Sequence, residues 1–361
     1  MGPGGVPLLQ LAQWMVGQGL LQRADELQAE RMSGGQSNPS WLLRSPSRQF
    51  VLRAKPAPVA QLLPSAHAIE REYRILHALQ STGVPVPRVH ALCEDESVIG
   101  VAFYLMDFVE GRIFRDATLP EVPQPERAAY FEAACDVLAQ LHAVDWRARG
   151  LSDFGRHEAF YTRLIRRWTQ QYEAARSAPV AAMDQLAQWL PQHIPAGGDG
   201  AERTCITHGD YRIENLMFHP TRPEVVAVLD WELATLGHPL SDLSYSALAW
   251  RMPSGILRGY GDQDLTALGI PPEMAHVALY CERMHMDLSS VCADWPFYLA
   301  FNLFRLSAIL FGIGQRERDG VASNTTAREI AAMAEPVARW GWAIAQGQTT
   351  DFLSHNHRRH A

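Results

Sequence analysis

Between Ile206 and Glu232 the chain reads ITHGDYRIENLMFHPTRPEVVAVLDWE, and its acids and amide are of the types that phosphoryl transfer needs. His208, Gly209, Asp210 and Asn215 spell H-G-D-x-x-x-x-N, and Asp230 closes the apolar run VVAVLD. A phosphoryl group moves when a carboxylate orients a hydroxyl and takes its proton while oxygen ligands hold magnesium on the phosphates. Asp210 has the short carboxylate for the first task. Asn215 offers a neutral oxygen and Asp230 an anionic one for Mg2+, a hard cation that favours oxygen donors. His208 reads as a brace for the loop. A transition-metal hydrolase built on His208, Asp210 and Asp230 is the competing chemistry. It has no histidine-rich second cluster and leaves Asn215 unexplained.

The elements around this stretch must present a nucleotide and an acceptor to it. Val6 to Gly19 has apolar residues at helical spacing and is expected to pack against a neighbouring lobe. Ser33, Gly34, Gly35, Ser37 and Asn38 form a small-residue loop whose backbone N–H groups can approach phosphate oxygens closely. Trp41 to Arg44 and Gln49 to Arg53 flank a Ser-Pro-Ser turn and predict a β-hairpin. A helix is predicted over Ala68 to Gln80, strands over Ser97 to Met106, and helices over Arg127 to Val144, Phe160 to Ala174 and Met183 to Leu190. Met274 to Cys292 and Trp295 to Ile313 predict two more helices, the second dense in aromatics with Arg305 its only charge.

HGDYRIEN, then VLDWE, then LGHPLSDLSY resembles the aminoglycoside phosphotransferase and choline kinase superfamily, most closely the stand-alone bacterial relatives of the kinase-like domain fused to some acyl-CoA dehydrogenases. The resemblance runs from SGGQSNPSWLLR to FNLFRLSAILFG. It implies an α+β, bilobal protein-kinase-like fold: residues 1–106 as a small lobe with an antiparallel sheet and one main helix, and 107–361 as a large, mostly helical lobe. It implies ATP or another nucleoside triphosphate with Mg2+, and transfer to a small-molecule hydroxyl. By the match of FVLR to the family strand, Arg53 takes the phosphate-facing cation role, with Lys55 the other candidate on the same strand face. Glu72 aligns with the acid that holds this cation, and Glu70 is its neighbour alternative. Asp107 and Val109 fall where the family's interlobe backbone meets the adenine edge. Asp242 resembles the family aspartate that anchors the catalytic loop. Where protein kinases have Asp-Phe-Gly this chain has Asp230-Trp231-Glu232, so a glycine-hinged switch is not expected.

With 361 residues and a net charge of −7, the chain is long enough for a large core and is not of the basic kind that nucleic acid attracts. Five scattered cysteines without a CxxC pair indicate neither a zinc site nor a disulfide framework. The N-terminus lacks the basic and apolar segments of a signal peptide, and apolar runs such as Leu306 to Ile313 fall short of a membrane span. No membrane partner and a cytoplasmic location are therefore expected. Antibiotic kinases present many acids to polycationic sugars. Here the C-terminal helices mix Asp287 and Asp294 with Arg283 and Arg305, which suits an acceptor with an apolar part and an anionic group, such as a hydroxy acid or hydroxyacyl-CoA. Aminoglycoside-, choline- or homoserine-type kinases, and a non-catalytic nucleotide-binding scaffold, are the competing readings. The His- and Arg-rich tail after Asp351 reads as a disordered end.

Overall fold

The computed structural model describes residues 5–24, 27–32, 38–56, 68–255, 257–320 and 326–348. Ser33, Gly34, Gly35 and Ser37, and the His-rich tail, lie outside these residues. The chain forms two compact units. The first comprises residues 1–112, 149–151 and 216–234, and the second the remainder. The single cut expected after residue 106 is thus too simple. A later hairpin returns to the first unit because Val228 N–H donates to Pro85 O (2.9 Å) and the turn after it lies against the helix that carries Glu72.

In the first unit, α1 (Leu8–Gly17) precedes a five-stranded antiparallel sheet. Its strands are β1 (Gln28–Arg31), β2 (Ser40–Arg44), β3 (Gln49–Ala54), β4 (Val89–Cys93) and β5 (Phe103–Asp107), in the order β1-β2-β3-β5-β4. Side chains alternate across a pleated strand, and β3 shows what that achieves. Phe50, Leu52 and Ala54 are fully buried in one cluster with Leu11 and Met15 of α1, while Arg53 belongs to the opposite face. α1 therefore covers this unit's own sheet instead of a neighbouring lobe. Each such fully buried large side chain contributes about 1.5–3 kcal/mol, so this face holds the sheet together without help from its charges. Strand structure begins only at Phe103. Ser97 to Gly100 is a turn, closed by Gly100 N–H on Glu96 O at φ +91°, and Val98, Ile99 and Val101 pack on the α1 cluster from there.

On the other face lies α2 (Ile69–Leu79), whose buried residues Ile69, Glu72, Ile75, Leu76 and Leu79 form one helical stripe. Glu72 is the only charge in it. The chain passes from the first unit to the second at β6 (Arg112–Ile113). Later in the chain the first unit gains an antiparallel hairpin, β8 (Leu216–Phe218) and β9 (Val225–Val228). Gly111 lies so close to β8 that a Cβ would come within 2.4 Å of Met217 Cγ and 2.6 Å of Phe218 O.

The second unit is helical: α3 (Arg127–His142), α4 (Phe160–Ala175), α5 (Ala181–Trp189), α6 (Pro239–Ala247), α7 (Leu265–Leu268), α8 (Glu273–Arg283), α9 (Leu288–Arg318), α10 (Ala327–Ala332) and α11 (Ala334–Ala345). A two-stranded ladder of β7 (Cys205–Thr207) and β10 (Thr235–Gly237) completes it. The 31-residue α9 is long and apolar enough to cross a membrane, but 78% of its most apolar stretch is buried against α4, α6, α10 and α11. The helix expected over Met274 to Cys292 divides. α8 stops with His285 at φ +52°, Met286 N–H on Cys281 O (2.8 Å) and His285 N–H on Glu282 O (3.2 Å), a left-handed cap normally made by glycine. Asp287 then caps α9 by accepting from Ser290 N–H at 2.9 Å.

Candidate active site

In the first unit the sheet's charged face and α2 build one cluster. Arg53 forks onto Glu72, with Nε on Oε2 and Nη2 on Oε1, both at 2.9 Å. Its Nη2 also reaches Asp230 Oδ1 at 3.2 Å. Asn38, fully buried, donates from Nδ2 to Glu72 Oε2 at 3.3 Å, so it steadies the acid. Burial works against the charge on Arg53, but Glu72 above all outweighs it and pushes the guanidinium pKa further above its ordinary value. Lys55, two residues along, pairs with Glu70. The two cations thus sit on two acids of the same helix, and only Arg53 also touches Asp230.

Asp230 holds a left-handed conformation, φ +66° and ψ +61°, which non-glycine residues adopt rarely and often at functional sites. Beside it Trp231 is buried, its Nε1 bonded to Val228 O at 2.9 Å, which pins the turn. The Asp107 carboxylate accepts from Arg48 (3.3 Å) and contacts His90 Nε2 (2.7 Å), and its N–H is committed to Arg88 O at 2.8 Å. Of the adenine-edge candidates, Asp107 has its backbone N–H committed and its carbonyl as the remaining backbone group, and Val109 follows in the irregular run after β5.

In the second unit β7 delivers the loop 208–215. Asp242, in the first turn of α6, accepts from His208 N–H (2.6 Å) and Gly209 N–H (2.9 Å). His142 Nε2 meets the same carboxylate at 3.3 Å, and its Nδ1 meets Tyr280 Oη at 2.6 Å. Burial alone would raise the pKa of Asp242, but the hydrogen bond and charge of His142, with His208 and Gly209, hold it below the ordinary value. Gly209 turns at φ +83°, where a side chain would be strained. His208 Nδ1 accepts from Asp210 N–H at 3.2 Å, so the histidine braces the loop from within.

Asp210 itself is gripped through both oxygens. Asn215 Nδ2 donates to Oδ2 at 2.8 Å and to the Asp210 carbonyl at 2.9 Å, and Tyr245 Oη donates to Oδ1 at 2.6 Å. Arg305, from the middle of α9, donates to Gly209 O at 2.5 Å and lies over the Tyr245 ring at 5.0 Å. The sequence reading did not include Tyr245, and it gave Arg305 to the acceptor-binding helices without placing it on the loop. For Tyr245 the signal was present: it follows Asp242 by three residues, on the same face of α6 as the loop's anchor. Since Asn215 commits its amide hydrogens to Asp210, its remaining side-chain atom is an oxygen. That donor and the Asp230 carboxylate are of the hard kind that suits Mg2+.

A five-stranded antiparallel sheet with one ion-paired helix, and a helical unit bearing an anchored His-Gly-Asp loop, define a protein-kinase-like fold. The chain belongs to the phosphotransferase enzyme family, which its residues 28–279 match. It is 46% identical over 313 residues to acyl-CoA dehydrogenase family member 10 of Mus musculus, an alignment covering 86% of this chain and 28% of that protein. The chain therefore spans less than a third of that relative. A Ralstonia eutropha protein of solved structure, provisionally described as an aminoglycoside phosphotransferase, is 44% identical with a TM-score of 0.84, covering 94% of this chain and 98% of that one. An aminoglycoside phosphotransferase solved with ADP and hygromycin B shares the fold at 16% identity and a TM-score of 0.59, covering 93% and 99%.

Proposed function

We propose that this protein transfers the γ-phosphoryl group of ATP, with Mg2+, to a hydroxyl of a hydroxy acid or hydroxyacyl thioester. The observation that carries the reading is the grip on Asp210: a loop fixed at His208 and Gly209 by Asp242, with the carboxylate itself oriented by Asn215. Such a group acts as base because its position is set before the substrate arrives. Asp210 orients the acceptor hydroxyl and takes its proton as the oxygen attacks the γ-phosphorus and ADP departs. Arg53, held as a planar fork by Glu72, contacts the nucleotide phosphates. The Asp107 carbonyl and the Val109 backbone meet the adenine edge. Asn215 and Asp230 would hold Mg2+, which when bound neutralises charge on the phosphates.

Two features support an acceptor with an anionic group. Arg212 Nε lies 3.6 Å from Asp210 Oδ1, and Arg305 borders the same loop, so cations and not rows of acids surround the proposed base. The mouse relative is an acyl-CoA dehydrogenase family member, a name that points to acyl thioesters.

The test is a screen of hydroxy acids and hydroxyacyl-CoAs, with an aminoglycoside set in parallel, reading ADP release and phosphorylated product by mass spectrometry. Asp210→Ala is expected to lower turnover by about 10²–10⁴-fold, the usual share of general-base catalysis. It should keep the magnesium-dependent thermal stabilisation by ATP, and Asp230→Ala should lose that stabilisation. Normal turnover in Asp210→Ala, or aminoglycosides as the sole acceptors, would overturn the assignment.

A further inference from the structure

The Tyr245 hydroxyl stands 2.6 Å from Asp210 Oδ1 and donates to it, as an acceptor hydroxyl must. The opposite oxygen is taken by Asn215. Asp210 is not sealed away: 18% of its side chain is exposed, enough for a small molecule to reach it. Burial first, and then the neighbouring negative charge of Asp210, drive the pKa of the Tyr245 phenol well up, so it remains an O–H donor at working pH. The ring is fixed from above by Arg305, which at the same time holds the Gly209 carbonyl. A protonated phenol on a braced ring thus stands against one oxygen of a carboxylate whose other oxygen Asn215 already holds.

We infer that Tyr245 is a placeholder on the proposed base, occupying Asp210 Oδ1 until an acceptor hydroxyl displaces it and so keeping water from being activated there. The inference rests on Asp210 acting as the base. Without the placeholder, a water molecule donates to Asp210, its oxygen bonds to the γ-phosphorus of ATP, and the bond from that phosphorus to the β-bridging oxygen breaks. The electron pair leaves with ADP, the water proton passes to Asp210 and then to solvent, and the products are ADP and inorganic phosphate. Every kinase of this type faces that side reaction, because water is always at hand and small enough to enter a partly open site. Tyr245 acts through Asp210 and is displaced before the acceptor's proton moves, so it is a positioning residue.

The experiment measures ADP formation from Mg-ATP in the absence of acceptor, using the full chain as wild type, Tyr245→Phe, Asp210→Asn and Tyr245→Phe with Asp210→Asn. Phenylalanine keeps the ring under Arg305 and removes only the hydroxyl. Tyr245→Phe is expected to hydrolyse ATP roughly tenfold faster than wild type, a modest part of what base assistance can supply. The double variant should fall back to the wild-type rate or below. A merely structural role predicts slower hydrolysis, so a gain separates the two. Equal rates in wild type and Tyr245→Phe, or a gain that survives Asp210→Asn, would overturn the inference. Magnesium-dependent thermal stabilisation by ATP is read on all four proteins. Its absence in wild type would defeat the functional proposal itself, and this inference with it, whereas its presence with unchanged hydrolysis defeats only the placeholder. Should Tyr245→Phe prove unfolded, Tyr245→Met serves the same comparison with a different packing load.

Discussion

Arg53 and Glu72 form a largely buried pair: Glu72 favours the charge on Arg53, while burial raises the Glu72 pKa and Arg53 opposes that rise. Removing one partner of such a pair leaves an uncompensated buried charge, whereas replacing both by apolar groups of similar size is often near neutral. Arg53→Met is therefore expected to destabilise the protein by about 3–5 kcal/mol in urea denaturation. Arg53→Met with Glu72→Leu should recover most of that loss while still failing to gain stability from Mg-ATP. Equal destabilisation in the single and double variants would show that packing, not charge, is what the pair contributes. The choice of Glu72 over Glu70 came from the resemblance, and the structure adds a local reason. Glu72 falls on the stripe of Ile69, Ile75, Leu76 and Leu79, and Glu70 does not. Arg305 was harder to place, because it reaches the loop from 96 residues away and only packing brings it there, whereas Tyr245, 35 residues away, is signalled only through Asp242 on the same helix.

The elements divide by how much of their cause is local. The β2–β3 hairpin, α2, α3, α4 and the strand pair β8–β9 follow from alternation, helical spacing and turn residues, and all lie where those patterns place them. The α8–α9 junction was not legible, since its left-handed cap residue is His285 and no glycine or proline announces it. Its start signal is electrostatic. Hydrogen bonds from Ser289 and Ser290 pull the Asp287 pKa down to about 2, against about 3.9 for an ordinary aspartate. A depressed folded pKa contributes stability in full above the unfolded value and loses it as pH falls toward the folded one. Asp287→Asn should therefore lower the Tm at neutral pH, and the gap should narrow as pH drops from about 4 toward 2. A gap that is constant over that range would mean the cap acts through hydrogen bonding alone, without its charge.

For the molecule as a whole, the two halves of the proposed chemistry belong to different compact units. Arg53, Glu72 and Asp230 lie in the first, and Asp210, Asn215 and Tyr245 in the second. Nucleotide binding through the phosphate-facing cluster should therefore leave its mark on the first unit. Hydrogen exchange with Mg-ATP is expected to slow in residues 38–54 and 225–234 relative to the free protein. Protection confined to residues 113–148 and 235–345 would contradict the role given to Arg53 and Asp230. The H-G-D-x-x-x-x-N spacing singles out Asp210 and Asn215, which the fold brings into hydrogen-bond contact, but nothing in it places Asp230 in the first unit. That assignment depends on the β8–β9 hairpin and on Val228 reaching Pro85, contacts between segments far apart in the chain.

The interleaved path has a consequence for synthesis. The five-stranded sheet and α2 have been synthesised by Arg112, yet the hairpin and Asp230 that complete their unit end at Ala234. Those 122 intervening residues take roughly 6–24 s at about 5–20 residues per second, long beside the folding time of a small domain. The nascent sheet must survive that wait with Arg53 satisfied by Glu72 alone. The apolar cluster of α1 on the sheet, complete by Leu105, is then what carries the half-made unit through translation, and no single cut in the chain could release that unit whole.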